Sequence, residues 1–463
     1  MGKRRVSPGV TIALMALTAT LTLTLTYQYA MNRFNQQVKN LTERQKMYAK
    51  LYQVDTKTRD RYLYDIDENK LDDAITKGYV SGLSDPYSQF LTQSECTALQ
   101  KQLAGRAEGV GMDIALSGSA VVVTRLIDGA PAAVAGVQKD DRIVRVDGQD
   151  VTGWSVSQVA DALAGSAGTE VSVEVARGAS GEGNTLSFVI PRREYDTVTV
   201  SSRMLDNSIG YIRIYSFDAK TADAFADALN ALTRGGAAGL IIDVRNNGGG
   251  TLESAAKILD SLLPAGSIVS SAGADGKHTV LYTSDAAQNS LPLAVLINQK
   301  SASAAELIAA AVQDYHRGVV VGTQSYGKGT LQELFTFTDG SGLYLTTANF
   351  YPPLSGSFTD TGVTPDYDVR LQYNGSLDLL NDADDTQLNA AISRLTQGDD
   401  APEQPAESDA SSADNAQSDA DASAESSASS QTSSRAASDS PQTASSGSAY
   451  VAMVPGCGDA LHA

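Results

Sequence analysis

The pattern of apolar and polar positions divides the chain into parts with different periodicities. Within residues 106–192, a short apolar run at Ala120–Thr124 and an alternating segment at Val171–Ala176 flank the turn at Asp147-Gly148. Alternation with a period of two is typical of strands that bury one face. The pattern predicts a small β-rich domain with one short helix near Val156–Leu163.

Residues 193–371 show a different order, in which continuous apolar runs alternate with longer segments of helical spacing. Such an order is typical of an α/β domain, here with a β-rich end. The predicted strands are Gly210–Ile214, Leu240–Val244, Leu293–Asn298, Val319–Val321, Leu331–Phe337 and Leu343–Phe350. The predicted helices are Ala222–Leu232, Leu252–Leu263 and Ala304–Tyr315.

The flanking regions differ from both domains. Residues 31–105 have a polar, helical pattern, and a short amphipathic helix is predicted at Thr386–Leu395. Beyond Gly398 the chain is rich in Ser, Ala, Asp and Gln and has few apolar residues, so it cannot bury enough surface to fold. We therefore predict an α+β or α/β multidomain protein with boundaries at 1–30 (basic head and membrane anchor), 31–105 (helical cap), 106–192, 193–371, 372–397 (helical) and 398–463 (disordered acidic tail).

The N-terminus carries an uncharged run of 18 residues, Val10–Tyr27, behind the basic residues Lys3, Arg4 and Arg5. Its length is near the lower limit for a membrane-spanning helix, and six of its residues are threonine. A basic head points to a cytoplasmic N-terminus. Cleavage after Ala30 would place Gln28 at a position that favours small residues. We therefore expect a retained single-pass anchor rather than a cleaved signal peptide, with the rest of the chain on the extracellular face of the cell membrane.

Charge and cysteine content exclude several classes of protein. The formal net charge is −19, and the segment from Gly398 onward holds eleven acidic residues against one arginine, which accounts for −10. The remainder is mildly acidic, which argues against nucleic acid as a partner. Two cysteines form neither a disulfide framework nor a metal cluster, and three histidines leave few candidates for a catalytic base.

Ser303 is a candidate nucleophile because of its position. It follows the predicted strand Leu293–Asn298 and begins an apolar helix. The first N–H groups of a helix lack internal partners and lie at the positive end of its dipole. A hydroxyl there could attack a carbonyl group, and the Ala304 N–H could stabilise the oxyanion that develops on the carbonyl oxygen. An ordinary N-cap serine would occupy the same position, and Ser301 could cap equally well.

The loop after Leu240–Val244 contains three consecutive glycines, Gly248–Gly250. Glycines at a strand-to-helix turn permit a close approach of backbone or ligand, so Gly248 or Gly249 could supply a second oxyanion N–H. A phosphate cradle is the alternative interpretation, although the loop lacks the spacing of the known nucleotide-binding motifs.

A serine hydroxyl needs a base, and Lys328 lies in a glycine-flanked turn, whereas His278, His316 and His462 lie in polar stretches, at a helix end or in the tail. An ordinary lysine has a pKa near 10.4, but burial can lower it to about 7–8, which suits general-base work. Gln332 shares a strand face with Lys328 at a spacing of four residues and could orient the amine. An exposed loop lysine is the plain alternative.

Taken together, these motifs resemble the C-terminal processing peptidases, or tail-specific proteases. The resemblance covers about residues 54–395 and is carried by the strings at 85–91, 243–250, 301–306, 326–332 and 362–366. It implies a crotonase/ClpP-like protease core, with Ser303 as nucleophile, Lys328 as base and Gln332 as the residue that holds the lysine. It implies neither metal nor cofactor. Two departures are Lys300, where the family usually has glycine, and Ala305, where serine is frequent.

The β-rich segment resembles a PDZ domain, in its strings at 130–137 and 140–148 and in Gly109, Val110, Gly111 and Met112, which match the carboxylate-binding loop. Such a loop offers N–H groups to a free chain terminus while the peptide adds a strand. The resemblance implies protein substrates with accessible C-termini and the possibility of a homodimer. Arg142 or Arg145 could link tail binding to catalysis. The alternative function is a catalytically inactive, membrane-anchored PDZ scaffold.

Overall fold

The structure is a computed structural model that describes residues 8–178, 184–285, 289–373, 375–397 and 449–450. The predicted disordered tail at 398–463 lies outside the described residues except for 449–450, and so does the basic head at 1–7.

The N-terminal unit, residues 1–75, consists mainly of one long helix, α1 (Pro8–Arg61). Threonine hydroxyls along it donate to carbonyl oxygens four residues earlier, as Thr20 and Thr24 do at 2.8 Å. In the part of the chain that the structure describes, no helix combines the length and apolar character needed to cross a membrane. The predicted anchor at Val10–Tyr27 is therefore not supported, and its six threonines are the physical reason for its low apolar content.

A connecting region precedes the β-rich domain and contains α2 (Glu68–Ser81), β1 (Gln89–Leu91) and α3 (Gln93–Leu103). Helix α3 begins with a capping box, in which the Thr92 hydroxyl and the Glu95 carboxylate satisfy each other's backbone N–H groups. Strand β1 was not predicted within this helical stretch. It pairs with a strand of the second domain.

The β-rich domain is an antiparallel sheet in the order β20-β3-β4-β5-β7-β8, with β6 paired to β5 and a separate β2-β9 ribbon. On β7, Val171, Val173 and Val175 are buried, as their alternation predicted. The bounds are β2 (Arg106–Gly109), β3 (Met112–Ser117), β4 (Ala120–Leu126), α4 (Pro131–Ala135), β5 (Arg142–Val146), β6 (Gln149–Asp150), α5 (Val156–Leu163), β7 (Glu170–Arg177), β8 (Asn184–Pro191), β9 (Arg193–Asp196) and β20 (Ala449–Tyr450).

The second domain has a mostly parallel sheet in the order β10-β11-β12-β15-β16-β19, and an antiparallel sheet in the order β1-β18-β13-β14 with β17 paired to β18. The bounds are β10 (Val200–Met204), β11 (Ile209–Ile214), α6 (Thr221–Arg234), β12 (Gly239–Asp243), α7 (Leu252–Asp260), β13 (Gly266–Gly273), β14 (His278–Ser284), β15 (Leu293–Ile297), α8 (Ala304–Asp314), β16 (Val319–Gly322), β17 (Thr330–Thr336), β18 (Gly342–Tyr351), β19 (Tyr367–Asp368), α9 (Thr386–Gln397) and 3₁₀ turns at Asp206–Ser208, Leu377–Leu379 and Asp382–Asp384.

The central strands β12 and β15 are buried at every position and run parallel to each other. Buried parallel strands have continuous apolar sequences because helices cover both faces. Their carboxyl ends lie at the same edge of the sheet, which is where loops of α/β domains commonly form ligand sites. The loops after β12 and β15 carry the glycine run and Ser303, so the fold brings together two segments that lie about fifty residues apart in sequence.

The predicted strands and helices of this domain are present within a few residues of their expected bounds. Strands β10, β13, β14 and β19 were missed, and the sequence of β13 shows one reason. Its residues include three serines and two glycines, so its apolar signal is weak. Its pairing with β18 and β14 makes it a strand.

Candidate active site

Ser303 stands at the junction between β15 and α8, with a side chain that is fully buried. Its backbone has φ 55° and ψ −115°, a conformation that L residues rarely adopt. The Ser301 hydroxyl donates to the Val244 carbonyl at 2.8 Å and accepts from the Asn298 N–H at 3.0 Å, which ties the ends of the two strands together. Among the described residues, the Ser303 Oγ has no hydrogen-bond partner.

The glycine loop packs directly against this serine. Gly249 has φ 101°, and a Cβ atom placed on it would lie 2.8 Å from the Ser303 Cβ and 3.3 Å from the Ala304 nitrogen. The Ala302 N–H donates to the Asn247 carbonyl at 2.9 Å. Such close packing on the turn that carries Ser303 fits an oxyanion loop better than a phosphate cradle.

The two predicted glycine donors are not equivalent. The Gly249 N–H donates to the Asn247 Oδ1 at 2.8 Å and is therefore engaged. Among the described residues, no hydrogen bond involves the Gly248 N–H or the Ala304 N–H. These two N–H groups are thus available to a ligand oxygen, whereas the Gly249 N–H is not.

A buried ionic cluster supports the base of the glycine loop. The Arg245 guanidinium contacts the carboxylates of Asp243 and Asp385, each at 2.7 Å, and all three side chains are at most 7% exposed. The Tyr211 hydroxyl also donates to Asp243 at 2.7 Å. Burial alone would raise the pKa of Asp243, but the charge and hydrogen bonds of Arg245 outweigh it and hold that pKa below the ordinary value. The cluster fixes the loop to the segment that begins α9.

Lys328 lies in the loop between β16 and β17, and only 1% of its surface is exposed. The plain alternative of an exposed loop lysine does not describe this side chain. The neighbouring Tyr326 N–H donates to the Ser301 carbonyl at 3.0 Å, so the lysine loop is attached to the nucleophile turn. The signal in the sequence that pointed to this turn was the pair of glycines that flank the lysine. Both are needed in the structure, because Gly327 has φ 95° and Gly329 packs closely on Thr359.

Glu306 connects the two turns and was given no role from the sequence. Its fully buried carboxylate accepts hydrogen bonds from the Ser303 N–H at 2.8 Å, the Lys328 N–H at 2.8 Å, the Gly327 N–H at 2.6 Å and the Ser325 hydroxyl at 2.5 Å. Burial raises the pKa of Glu306, and these hydrogen bonds counteract part of that rise. The capping-box spacing from Ser303 to Glu306 was the signal that could have identified it.

Gln332 lies on β17 next to a register shift between Leu331 and Gln332, and bulges of this kind redirect side chains. Its amide nitrogen donates to the hydroxyls of Thr330 at 3.0 Å and Thr346 at 3.1 Å. Its Oε1 is buried and has no partner among the described residues. An acceptor of this kind could receive an N–H from a lysine amine.

The segment around β1 also reaches the lysine. The Lys328 Nζ lies 4.4 Å from the centre of the Tyr87 ring, a cation–π distance. No role was assigned to Tyr87 from the sequence. In contrast, His278 stacks on Tyr351 with ring centres 4.5 Å apart, and His316 follows the end of α8, so neither is among the contacts described for Ser303.

The four residues predicted to bind a substrate carboxylate join β2 to β3. Val110 and Met112 are buried in the core of the β-rich domain, and the carbonyls of Val110 and Gly111 accept from the N–H groups of Ala132 and Ile127. Gly111 has φ 73°, and a Cβ atom there would lie 2.3 Å from the Ala130 Cβ. The loop therefore has a fixed shape in which Gly111 requires glycine.

The arginines proposed to link the two domains are placed differently. Arg145 forms a surface ion pair with Glu174 on the neighbouring strand at 3.1 Å. Arg125, which was not singled out, lies over the ring of Tyr215 at 3.9 Å and donates to the Val198 carbonyl at 2.8 Å. Arg125 therefore contacts the second domain, while the link between tail binding and catalysis through Arg142 or Arg145 stays a prediction.

Comparison with known proteins shows that two protein-family models match this chain. The family model of peptidase family S41 matches residues 208–369, and that of the PDZ domain matches residues 122–177. The carboxy-terminal processing protease CtpA of Bacillus subtilis is 32% identical over 340 residues, which cover 73% of this chain and 72% of that protein.

Two further comparisons agree with these matches. The chloroplastic C-terminal processing peptidase of Tetradesmus obliquus is 35% identical over 311 residues, covering 64% of this chain and 67% of that protein. A solved structure of a putative S41 protease from Bacteroides fragilis superposes with a TM-score of 0.50 at 19% identity, covering 73% of this chain and 93% of that one. The latter comparison concerns the fold alone.

Proposed function

Because this chain belongs to peptidase family S41, among the C-terminal processing proteases, we propose that Ser303 is its nucleophile and Lys328 its general base. The protein is a serine endopeptidase with an S41 fold and a PDZ domain, and it cleaves proteins in their C-terminal regions. The proposal concerns which of its residues carry out the reaction.

The observation that supports this assignment most directly is the Glu306 carboxylate. It accepts hydrogen bonds from the backbone N–H of Ser303 and from that of Lys328, both at 2.8 Å. One buried side chain thus holds the nucleophile turn and the lysine loop in a fixed relation. Both reacting side chains are buried, and burial disfavours the charged ammonium form of a lysine, which cannot accept a proton.

The reaction proceeds in two stages. The neutral Lys328 amine takes the Ser303 hydroxyl proton as the oxygen attacks the peptide carbonyl, and the N–H groups of Ala304 and Gly248 stabilise the oxyanion. The intermediate collapses to an acyl-enzyme, and the Lys328 ammonium gives its proton to the leaving amine. A water molecule, deprotonated by the same amine, then hydrolyses the ester. The Ser303 Oγ is not hydrogen-bonded among the described residues, and in this proposal its hydrogen bond to the Lys328 amine forms when substrate binds.

The PDZ domain supplies substrate selection in this proposal. A free C-terminus would bind at Gly109–Met112 while the preceding residues add a strand beside β3, which is the usual mode of peptide binding at a sheet edge. The preceding part of the substrate then extends toward Ser303. Substrates with blocked or buried C-termini would be cleaved poorly.

Substitution of the two reacting residues tests the proposal. Ser303→Ala and Lys328→Met should each remove cleavage of an unstructured reporter, while Lys300→Met, an exposed lysine close in sequence to Ser303, should retain it. Labelling by a fluorophosphonate probe should be lost in Ser303→Ala and greatly slowed in Lys328→Met. Wild-type cleavage by either dyad variant would exclude the assignment, and a wild-type protein that neither cleaves nor labels would support the inactive-scaffold alternative.

Two expectations from the sequence stay predictions. The first is the membrane-attached, extracellular location, which membrane fractionation and protease accessibility in intact cells would test. The second is a homodimer, which light scattering of the purified chain would detect. Neither is needed for the proposed chemistry.

A further inference from the structure

The Asp85–Ser88 turn is separated from Lys328 by about 240 residues in sequence, yet it lies against the lysine amine. The Tyr87 ring is 4.4 Å from the Nζ atom. The Asp85 carboxylate interacts electrostatically with Lys328, since the lysine charge is among the influences that lower the pKa of Asp85. The proposed mechanism uses neither residue, so their position beside its general base needs an explanation.

The turn is held by its own hydrogen bonds. The Asp85 carboxylate accepts from the Tyr87 N–H at 3.0 Å and from the Ser88 hydroxyl at 2.5 Å. Burial alone would raise the pKa of Asp85, but these bonds, a further one from Thr346 and the nearby lysine hold it below the ordinary value. Asp85 is therefore an ionised carboxylate beside Lys328 at neutral pH.

The turn is also fixed to the protease sheet. Strand β1, which follows the turn directly, pairs antiparallel with β18, with Gln89 opposite Tyr344 and Leu91 opposite Gly342. The Ser88 oxygen accepts from the Thr346 N–H on β18 at 3.0 Å. Any displacement of the turn would break these backbone contacts, so its position relative to Lys328 is well defined.

Thr346 links this turn to Gln332. Its hydroxyl accepts from the Gln332 amide nitrogen at 3.1 Å, and that bond leaves the Gln332 Oε1 as a buried acceptor. The Tyr87 ring thus contacts the lysine amine and the Asp85 carboxylate interacts with its charge, while Glu306 binds its backbone N–H. Tyr87 and Asp85 both come from the N-terminal turn.

We propose that Asp85 and Tyr87 are positioning residues for the general base, Tyr87 by fixing the amine and shielding it from water and Asp85 by setting the pH range in which the amine is neutral. The inference rests on the proposed role of Lys328. An aromatic face and a carboxylate both favour the ammonium form. They thereby oppose the effect of burial and limit the enzyme to a higher pH than burial alone would allow.

The charge of Asp85 can be removed while its shape is kept. In Asp85→Asn, the acidic limb of kcat/KM should shift to lower pH by about one unit, because loss of a nearby opposite charge favours the neutral amine. Plateau kcat should change by less than about threefold. Asp339→Asn is the matched control, since Asp339 makes the same kind of turn contacts to Ser341 but lies at the far end of the β17–β18 hairpin. Its profile should equal that of the wild type.

Two substitutions of Tyr87, one that removes the aromatic ring and one that keeps it, test the role of this residue. Tyr87→Leu should lower kcat by about tenfold with little change in KM, because the amine loses the ring that fixes its position and shields it from water. Tyr87→Phe keeps the ring and should retain most of kcat. The rate of fluorophosphonate labelling at Ser303, measured across pH, gives a second readout that does not depend on substrate binding.

The outcomes separate the inference from the proposed function. If Ser303→Ala and Lys328→Met are inactive but the Asp85→Asn profile, by both cleavage and labelling, equals the wild-type profile, the role of Asp85 is wrong while the dyad stands. Equal kcat in Tyr87→Leu and Tyr87→Phe would overturn the role of Tyr87. If Lys328→Met labels and cleaves like the wild type, the dyad itself fails. A variant that does not fold is replaced by Ser88→Ala, which removes the anchor to Thr346 and should reduce kcat without altering the charge.

Discussion

Glu306→Gln is the most informative single substitution in the protease site because it changes one atom of a carboxylate that accepts four hydrogen bonds. One oxygen accepts from the N–H groups of Ser303 and Lys328, and the other accepts from the Gly327 N–H and the Ser325 hydroxyl. A glutamine has the same shape but offers one oxygen and one amino group. In either orientation of the glutamine amide, one of the two pairs of donors therefore faces the amino group, which is itself a donor.

The cost of this mismatch follows from which pair is lost. If the amino group faces Ser325 and Gly327, the serine oxygen can accept and only the Gly327 N–H is left without a partner. A buried N–H without an acceptor costs about 1–3 kcal/mol. If the amino group faces Ser303 and Lys328, two N–H groups are lost, so the first orientation is preferred. Removal of a buried charge, whose cost is visible in the raised pKa of Glu306, offsets part of the loss.

We expect Glu306→Gln to fold, with a free energy of unfolding lower by about 1–3 kcal/mol. Its kcat should fall by about 10- to 100-fold, because displacement of a reacting group by about 1 Å can cost that much. The assays are thermal unfolding by circular dichroism and steady-state cleavage of an unstructured reporter. Glu253→Gln is the matched control and should behave like the wild type, since Glu253 is a partly exposed glutamate in the first turn of α7. Wild-type kcat in folded Glu306→Gln would refute the idea that this carboxylate aligns the dyad.

Three further results are expected from the same structure. Gly249→Ala should remove most activity, because its Cβ would lie 2.8 Å from the Ser303 Cβ at a φ of 101°; normal activity would exclude the close loop contact. Arg245→Met should lower the free energy of unfolding by about 3–5 kcal/mol by leaving Asp243 buried and unpaired, and a smaller loss in a denaturant titration would contradict the ionic cluster. Burial raises the pKa of Glu306, so this group favours folding below its unfolded pKa and loses that contribution as pH rises through its folded pKa. On acidification, reporter cleavage should therefore fall before the circular-dichroism signal, and coincident losses would contradict this order.

The sequence was sufficient to predict secondary structure and candidate residues where the local apolar pattern and the local chemistry agree. Helix α5 at Val156–Leu163 follows from apolar spacing behind a capping serine, and the buried strands β12 and β15 follow from continuous apolar runs. Ser303 was a candidate because it precedes a predicted helix, and Lys328 because glycines flank it. Both features can be recognised from the residues next to them in sequence. The predicted anchor at Val10–Tyr27 shows the limit of the same reasoning, because length and a basic head were given more weight than the threonine content.

Only the tertiary structure decided which groups surround the dyad. Tyr87 and Lys328 are in contact because β1 pairs with β18, and no local pattern encodes a pairing between residues about 250 positions apart. The preference for Gly248 over Gly249 depends on one hydrogen bond, which the Gly249 N–H donates to the Asn247 Oδ1. Sequence by itself fixes backbone preferences and the types of side chain available. Distances between remote side chains depend on how sheets and helices pack, and the environment of a catalytic lysine is set by those distances.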